Sequence, residues 1–202
     1  MQIQYQYPAD KPLDADVVAQ FFLEKDSERE ESDVTQLKLH KLMYFAQANY
    51  LSAVGKPLFD STIEAFEHGP IIAKIYQKYR KYKKQIIVAA EKRQGNHLGH
   101  SRVEIPSFER EYLEDVWEYF YEYSASQLRN MTHNDAPWAD NYEKGKAHIS
   151  IDNEEIKAWY DLGAPLENRV SVNYVSGIDD TLLEALDEPV DDDVLRRWGC
   201  LS

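Results

Sequence analysis

The stretch that decides the fold is Thr35-Gln36-Leu37-Lys38-Leu39-His40-Lys41-Leu42-Met43-Tyr44-Phe45-Ala46-Gln47-Ala48-Asn49-Tyr50-Leu51-Ser52-Ala53-Val54-Gly55. Leu39, Leu42, Met43, Ala46, Tyr50 and Ala53 recur at helical spacing along one stripe. Leu37, Tyr44, Ala48 and Leu51 form a second stripe. A surface helix needs one apolar stripe, so a helix with two is covered on more than one side. Thr35 opens this helix and Gly55 closes it. Pro57 follows where a terminated helix tolerates proline. These residues predict a central core helix, with His40 on its more polar side.

Outward from it, Asp14 to Lys25 reads as a helix, with Val17, Val18, Phe21 and Phe22 recurring on one face. Ser27 to Asp33 is a charged loop. Thr62 to Phe66 reads as extended. Gly69-Pro70 then breaks the chain, and Pro70 suits the first turn of a following helix. In that helix Ile72, Ile75, Tyr76 and Tyr79 face inward, while Lys74, Lys78 and Lys81 share the opposite face. Ile86 to Ala90 and Arg102 to Ile105 look like a β-hairpin. Ser107 caps a long helix with Glu109 and Glu111 in its first turn and Leu113, Val116, Trp117 and Phe120 as its core stripe. A short helix covers Ser126 to Met131. Another opens at Asp135-Ala136-Pro137 and ends at Gly145. Asp152 and Glu155 start a last core helix that buries Ile156, Trp159 and Tyr160 and stops at Gly163. Val170, Val172 and Tyr174 alternate as a strand, and an amphipathic turn from Thr181 to Leu186 precedes an acidic tail. The fold expected is mainly α (α+β): a compact helical domain over residues 1–163, with a central buried helix and a small β-hairpin or sheet. Residues 164–202 read as a C-terminal extension.

Composition bounds the function. An apolar fraction of 43 % with 14 Tyr and 4 Trp is ample for a core and excludes the disordered class for most of the chain. Cys200 is the sole cysteine, so neither a disulfide framework nor a cysteine-built zinc site is available, and a reducing compartment is expected. No basic and apolar leader precedes the domain, and no apolar run approaches the roughly 20 residues a membrane span needs. Together these predict a cytoplasmic protein with no membrane partner. The net charge of −13 opposes a general nucleic-acid coat. Charge is nonetheless polarised: between Lys74 and Arg102 the one acid is Glu91, whereas Asp179, Asp180, Glu184, Asp187, Glu188 and Asp191 to Asp193 crowd the C-terminal end. Such blocks neutralise one another or meet a charged partner.

The constellations that could carry chemistry are few. His40, Glu64, His68 and His133, with Asp135 nearby in sequence, make the best case for a hydrolase or a metal site. They lack a His-Glu-x-x-His, His-x-His or Cys/His spacing, so a structural role is the more economical reading and neither cofactor nor metal is expected. Thr132-His133-Asn134-Asp135-Ala136-Pro137-Trp138 reads as a helix-to-helix corner. There Thr132 and Asp135 satisfy free N–H groups, Pro137 presets the first turn and Trp138 plugs the corner into the core. The Lys74, Lys78 and Lys81 face admits three readings: a solvated surface, a protein-binding face, or a nucleic-acid site that would regulate its own operon. Val194, Leu195 and Trp198, set in the acidic tail, are a second candidate contact for a protein partner.

Two blocks of sequence resemble a known family. The first is Leu37-Lys38-Leu39-His40-Lys41-Leu42-Met43-Tyr44-Phe45-Ala46-Gln47, then Gly55-Lys56-Pro57-Leu58-Phe59-Asp60, then Glu64-Ala65-Phe66-Glu67-His68-Gly69-Pro70-Ile71-Ile72. The second is Leu128, Thr132-His133 and Pro137-Trp138, followed by Ile151 and Ile156. Their order and spacing resemble the Panacea domain of SocA-like antitoxins, met also in phage-associated GepA-type proteins and formerly a domain of unknown function. The resemblance runs from about Asp14 to Tyr160. Its family-motif positions here are Leu39, Lys41, Leu42, Tyr44, Gly69, Pro70, Thr132, His133, Pro137 and Trp138. His40, His68 and Arg129-Asn130 depart from the family's usual residues. The resemblance implies a non-enzymatic antitoxin that binds a cognate toxin directly. It also implies a ClpXP-type protease as a further partner, because one member delivers its toxin to that protease.

Because no ligand set has an accepted spacing, elemental analysis of the purified protein should find no stoichiometric transition metal. About one zinc or iron per chain, lost on replacing His133 or His68, would revive the metal-site reading.

Overall fold

The computed structural model describes residues 7–88 and 104–171. In chain order the elements are β1 (Leu13–Asp14), α1 (Ala15–Glu28), α2 (Gln36–Val54), β2 (Phe59–Asp60), β3 (Ile63–Phe66), β4 (Gly69–Ile72), α3 (Ala73–Tyr79), α4 (Ser107–Phe120), α5 (Ala125–His133), α6 (Ala136–Asn141), β5 (Ser150–Ile151) and α7 (Asn153–Leu162). The architecture is mainly helical with a small antiparallel sheet in the order β4-β3-β5, and a short parallel pair β1-β2.

The expected core helix is α2. The Thr35 hydroxyl accepts from the Lys38 N–H, and Gly55 closes the helix at φ +75°, the left-handed geometry that glycine adopts without penalty. α7, α5, β4, α1 and α4 all pack on it. Burial is more complete than two stripes predict: every residue from Lys38 to Leu51 is buried. His40 therefore has no polar side of the helix to occupy. Ala53, placed on the core stripe by its spacing, is exposed in the last turn of α2, where Ser52 and Val54 are only half-buried.

A helix buried all round forces its polar side chains to find partners inside the protein. They find backbone. Lys38 Nζ donates to the Tyr121 carbonyl at 2.6 Å and to both Asp33 carboxylate oxygens at 2.8 Å. Gln47 Oε1 accepts the Leu58 and Phe59 N–H groups at 3.0 and 3.1 Å. Asn49 donates to the Asn168 carbonyl and accepts from the Val170 N–H, both at 2.9 Å. Ala164 and Asn168 are buried as well, so the chain beyond Gly163 continues to pack on the helices as far as Val170.

Several local expectations are corrected. Gly69-Pro70 does not begin a helix: it belongs to β4, where Pro70 pairs in register with Ala65 and Gly69 with Phe66. β4 is an edge strand, which tolerates a residue without an N–H donor, and α3 starts only at Ala73. The hairpin therefore lies at residues 63–72. Of the expected Ile86 to Ala90 and Arg102 to Ile105 pairing, residues 89–103 lie outside the described residues. Ile86 instead bridges Thr35, and the Ile87 N–H donates to the Val34 carbonyl. Ser107 is the first residue of α4 and not its cap; Pro106 takes that place without a side-chain hydrogen bond. α6 ends at Asn141, short of Gly145, and Trp159 is only half-buried. Val170 is not in a strand, and Val172, Tyr174 and the Thr181 to Leu186 turn lie outside the described residues.

Leu42 has no exposed surface and lies in the most enclosed part of the molecule. Leu42→Ala should destabilise by about 2–5 kcal/mol, measured by urea denaturation. A loss under about 1 kcal/mol would contradict the central position of α2.

Candidate functional site

The corner between α5 and α6 gathers the second block of sequence motifs and brings the first to meet it. A capping box at Ser124, with Gln127 answering it, starts α5. Leu128 and Thr132, four residues apart, turn inward and are fully buried. Thr132 does not cap the next helix as its type suggests. Its hydroxyl donates back to the Arg129 carbonyl at 2.8 Å and packs against Gly69. A Cβ at Gly69 would lie 2.6 Å from Thr132 Oγ1 and 2.7 Å from Lys41 Nζ, on a backbone with φ +90°. Lys41, Gly69 and Thr132, distant in sequence, thus converge on one point.

Lys41 is wholly buried, and its Nζ donates to the Pro70 carbonyl at 2.7 Å. Burial and, second, the Arg129 charge hold its ammonium well below the ordinary lysine value. His133 lies over Trp138 with ring centroids 3.8 Å apart and planes 20° from parallel, and Trp138 stacks in turn on Tyr142 at 5.1 Å. Trp138 Nε1 donates to the Phe66 carbonyl at 2.9 Å, so the expected plug is present and also fastens the corner to β3. Burial pushes the His133 imidazole down to about 4, with Arg129, Lys41 and His68 adding to the effect. The corner is locally positive.

Asp135 departs from expectation. It is the residue before α6, but its side chain makes no cap hydrogen bond. The carboxylate turns into the core and accepts from Asn168 Nδ2 at 2.7 Å, the Tyr160 hydroxyl at 3.0 Å and Trp159 Nε1 at 3.3 Å. Burial raises its pKa against the opposing pull of these donors. The expected cap is a clamp instead, tying α6 to α7 and to the segment after Gly163.

The hydrolase set does not assemble. His40 Nδ1 accepts the Ile72 N–H at 3.1 Å, and burial pushes the ring down to about 3. Glu64 pairs with His148, Oε2 to Nδ1 at 3.1 Å. His68 is exposed on the β3–β4 turn, near enough for its charge to act on His133. Among the described residues no group of three or more His, Cys, Asp and Glu is placed to hold a metal.

The lysine face of α3 is partly neutralised from within. Lys74 Nζ meets Asp14 at 2.6 Å and Asp16 at 3.0 Å, and Lys78 Nζ meets Asp16 at 2.8 Å. The hydrogen bond from Lys74 holds the Asp14 carboxyl below its ordinary value. Lys81 is exposed, with its Nζ 5.4 Å from the centre of the Tyr82 ring. Val194, Leu195 and Trp198 lie outside the described residues. Arg129, which the sequence marks only as a departure from the family's usual residues, joins the corner. Its signal was available: Arg129 and His133 stand four apart on one short helix and so share a face.

Two glycines with positive φ separate backbone strain from steric closure. Gly55, with nothing within 4 Å of a would-be Cβ, should lose about 1 kcal/mol on replacement by Ala. Gly69→Ala, which adds collision with Thr132 and Lys41 to the same backbone strain, should lose about 3 kcal/mol or more. Equal losses in urea denaturation would mean that the Lys41–Gly69–Thr132 contact yields freely.

Comparison with known proteins places a family on this part of the chain. A family model described as antitoxin SocA-like, Panacea domain, matches residues 39–139, half of the 202-residue chain. No curated protein matches the chain, and neither does any solved structure. The matched span opens on the buried turn of α2 that carries Lys41, passes through Gly69 and Thr132, and closes just past Trp138. The chain belongs to the SocA-like antitoxin family, by way of a Panacea domain.

Proposed function

We propose that this chain is an antitoxin that silences a cognate toxin in the cytoplasm by binding it, without altering it covalently. Membership of the SocA-like antitoxin family is the observation that carries the reading. The fate of the polar side chains supports it. His40, Asp135, Glu64 and Lys38 are each engaged by a structural partner, and a nucleophile with a positioned base is the arrangement that covalent chemistry would need. Among the described residues no helix is long and apolar enough to cross a membrane, in keeping with a partner met in solution. An operon-binding role draws less support, because Asp14 and Asp16 engage Lys74 and Lys78, and phosphate binding relies on cations free to exchange counterions.

Co-expression with the product of the adjacent gene tests the proposal. The two proteins should co-purify, growth should recover, and the mass of the partner should stay unchanged. Recovery accompanied by a covalent change in the partner would make this chain an enzyme instead. A harmless neighbour that does not bind would remove the antitoxin reading. Loss of the partner protein only in cells that carry a ClpXP-type protease would assign delivery for degradation as the route.

A further inference from the structure

The α5 corner carries a guanidinium, that of Arg129, with which no carboxylate among the described residues forms an ion pair. Arg129 and His133 share a face of α5, with Lys41 Nζ inside the same corner and His68 at its rim. Arg129 is half-buried, and its guanidinium donates to the Asn130 side chain at 3.3 Å. His133 Nε2 is buried with no hydrogen-bond partner. Among the described residues no carboxylate makes an ion pair with Arg129, His133, His68 or Lys41, although the chain holds 36 acidic residues against 23 basic ones. Elsewhere this fold pairs its lysines readily, as Lys74 and Lys78 do with Asp14 and Asp16. An arginine left without an ion pair among the described residues of so acidic a chain is not explained by a shortage of acids.

We propose that the Arg129–His133 face of α5 is an anion site that receives one carboxylate group of a protein bound to this chain. The half-buried guanidinium fork suits the two oxygens of a planar carboxylate, and the buried, unpartnered Nε2 of His133 lies one turn along the same helix face. A singly charged group also fits the surroundings, since the net charge of −13 repels a dianion or a nucleic-acid backbone more strongly. Burial chiefly lowers the pKa values of Lys41 and His133, and the Arg129 charge adds to both shifts; that added repulsion is relieved when an anion arrives. The identity of the occupant as a protein rests on the proposed function; the existence of the site does not.

The test therefore begins on the isolated full chain. Its imidazole resonances are followed by NMR while sodium acetate replaces sodium chloride at constant ionic strength, with inorganic phosphate in a parallel series. Acetate should shift the His133 signals saturably, and the His133 midpoint should rise from about 4 toward the ordinary histidine value of about 6.5. Arg129→Gln should abolish the acetate response with the thermal unfolding curve nearly unchanged. Should that variant fold poorly, Arg129→Lys keeps the charge but loses the fork, and should weaken acetate about tenfold. Equal responses to chloride and acetate, or a response unaffected by either substitution, would overturn the site. Phosphate binding tenfold tighter than acetate would overturn its assignment to a carboxylate. In a co-purified toxin complex, Arg129→Gln should lower affinity about tenfold, and an unchanged affinity there would overturn the partner as the source. Failure to obtain any complex would bear on the antitoxin reading and leave the acetate result standing.

Discussion

The structure depends on the need to satisfy polar side chains on a helix that has no exposed face. From Lys38 to Leu51, α2 is enclosed, yet this span includes Lys38, His40, Lys41, Gln47 and Asn49. An unpaired buried polar group costs about 1–3 kcal/mol and a charged one more, so each must be answered. Backbone from four parts of the chain meets them: just after α4 for Lys38, β4 for Lys41 and for Nδ1 of His40, the start of β2 for Gln47, and the stretch after Gly163 for Asn49, while Nε2 of His40 stays buried without a partner. Apolar burial holds the helix in place. The polar groups fix which loop lies against which turn, since a hydrogen bond has direction and an apolar contact does not.

Lys41 and Asp135 show the two solutions open to a buried ionisable group. Asp135 gathers donors from Trp159, Tyr160 and Asn168, so its carboxylate is solvated by the protein. Lys41 has the Pro70 carbonyl alone, and burial first, with Arg129 adding to it, disfavours its ammonium. The difference places the electrostatic tension of the molecule on one side of the α5–α6 corner. Asp135 consolidates the inner side, toward α7. The outer side, with Arg129 and His133, keeps positive charge and an unanswered nitrogen.

That asymmetry bears on how an antitoxin of this family could hold a partner. Binding surfaces are most effective where rigid scaffolding presents groups that are not already satisfied. The lysine face of α3 fits this poorly, since α1 supplies Asp14 and Asp16 to it, and exposed pairs of that kind contribute little to stability while they screen charge. The α5 corner fits better. It is braced by the stack of His133, Trp138 and Tyr142 and by the Trp138 bond to Phe66.

Local pattern sufficed for the helical class, for the centrality of Thr35 to Gly55, for most helix starts and for the family. Helical periodicity, caps and glycine stops act over a few residues, and the motif order along the chain is itself one-dimensional information. The sequence also showed Trp138 as a corner plug, because a large ring beside Pro137 has few other places to go. What local pattern could not decide was which neighbour answers each polar group. Asp135 has the residue type of a cap and the position of a cap, yet three donors from far along the chain outcompete the N–H groups beside it. Pro70 has the residue type of a helix start, yet pairing with β3 claims it as strand. The lysines of α3 look like a free basic face until α1 packs alongside, and Arg129 is only a departure from the family pattern until the fold brings Lys41 and His133 within reach of its charge. In each case the deciding partner is distant in sequence, and burial sets how strongly that partner acts, a quantity that exists only once the chain has folded.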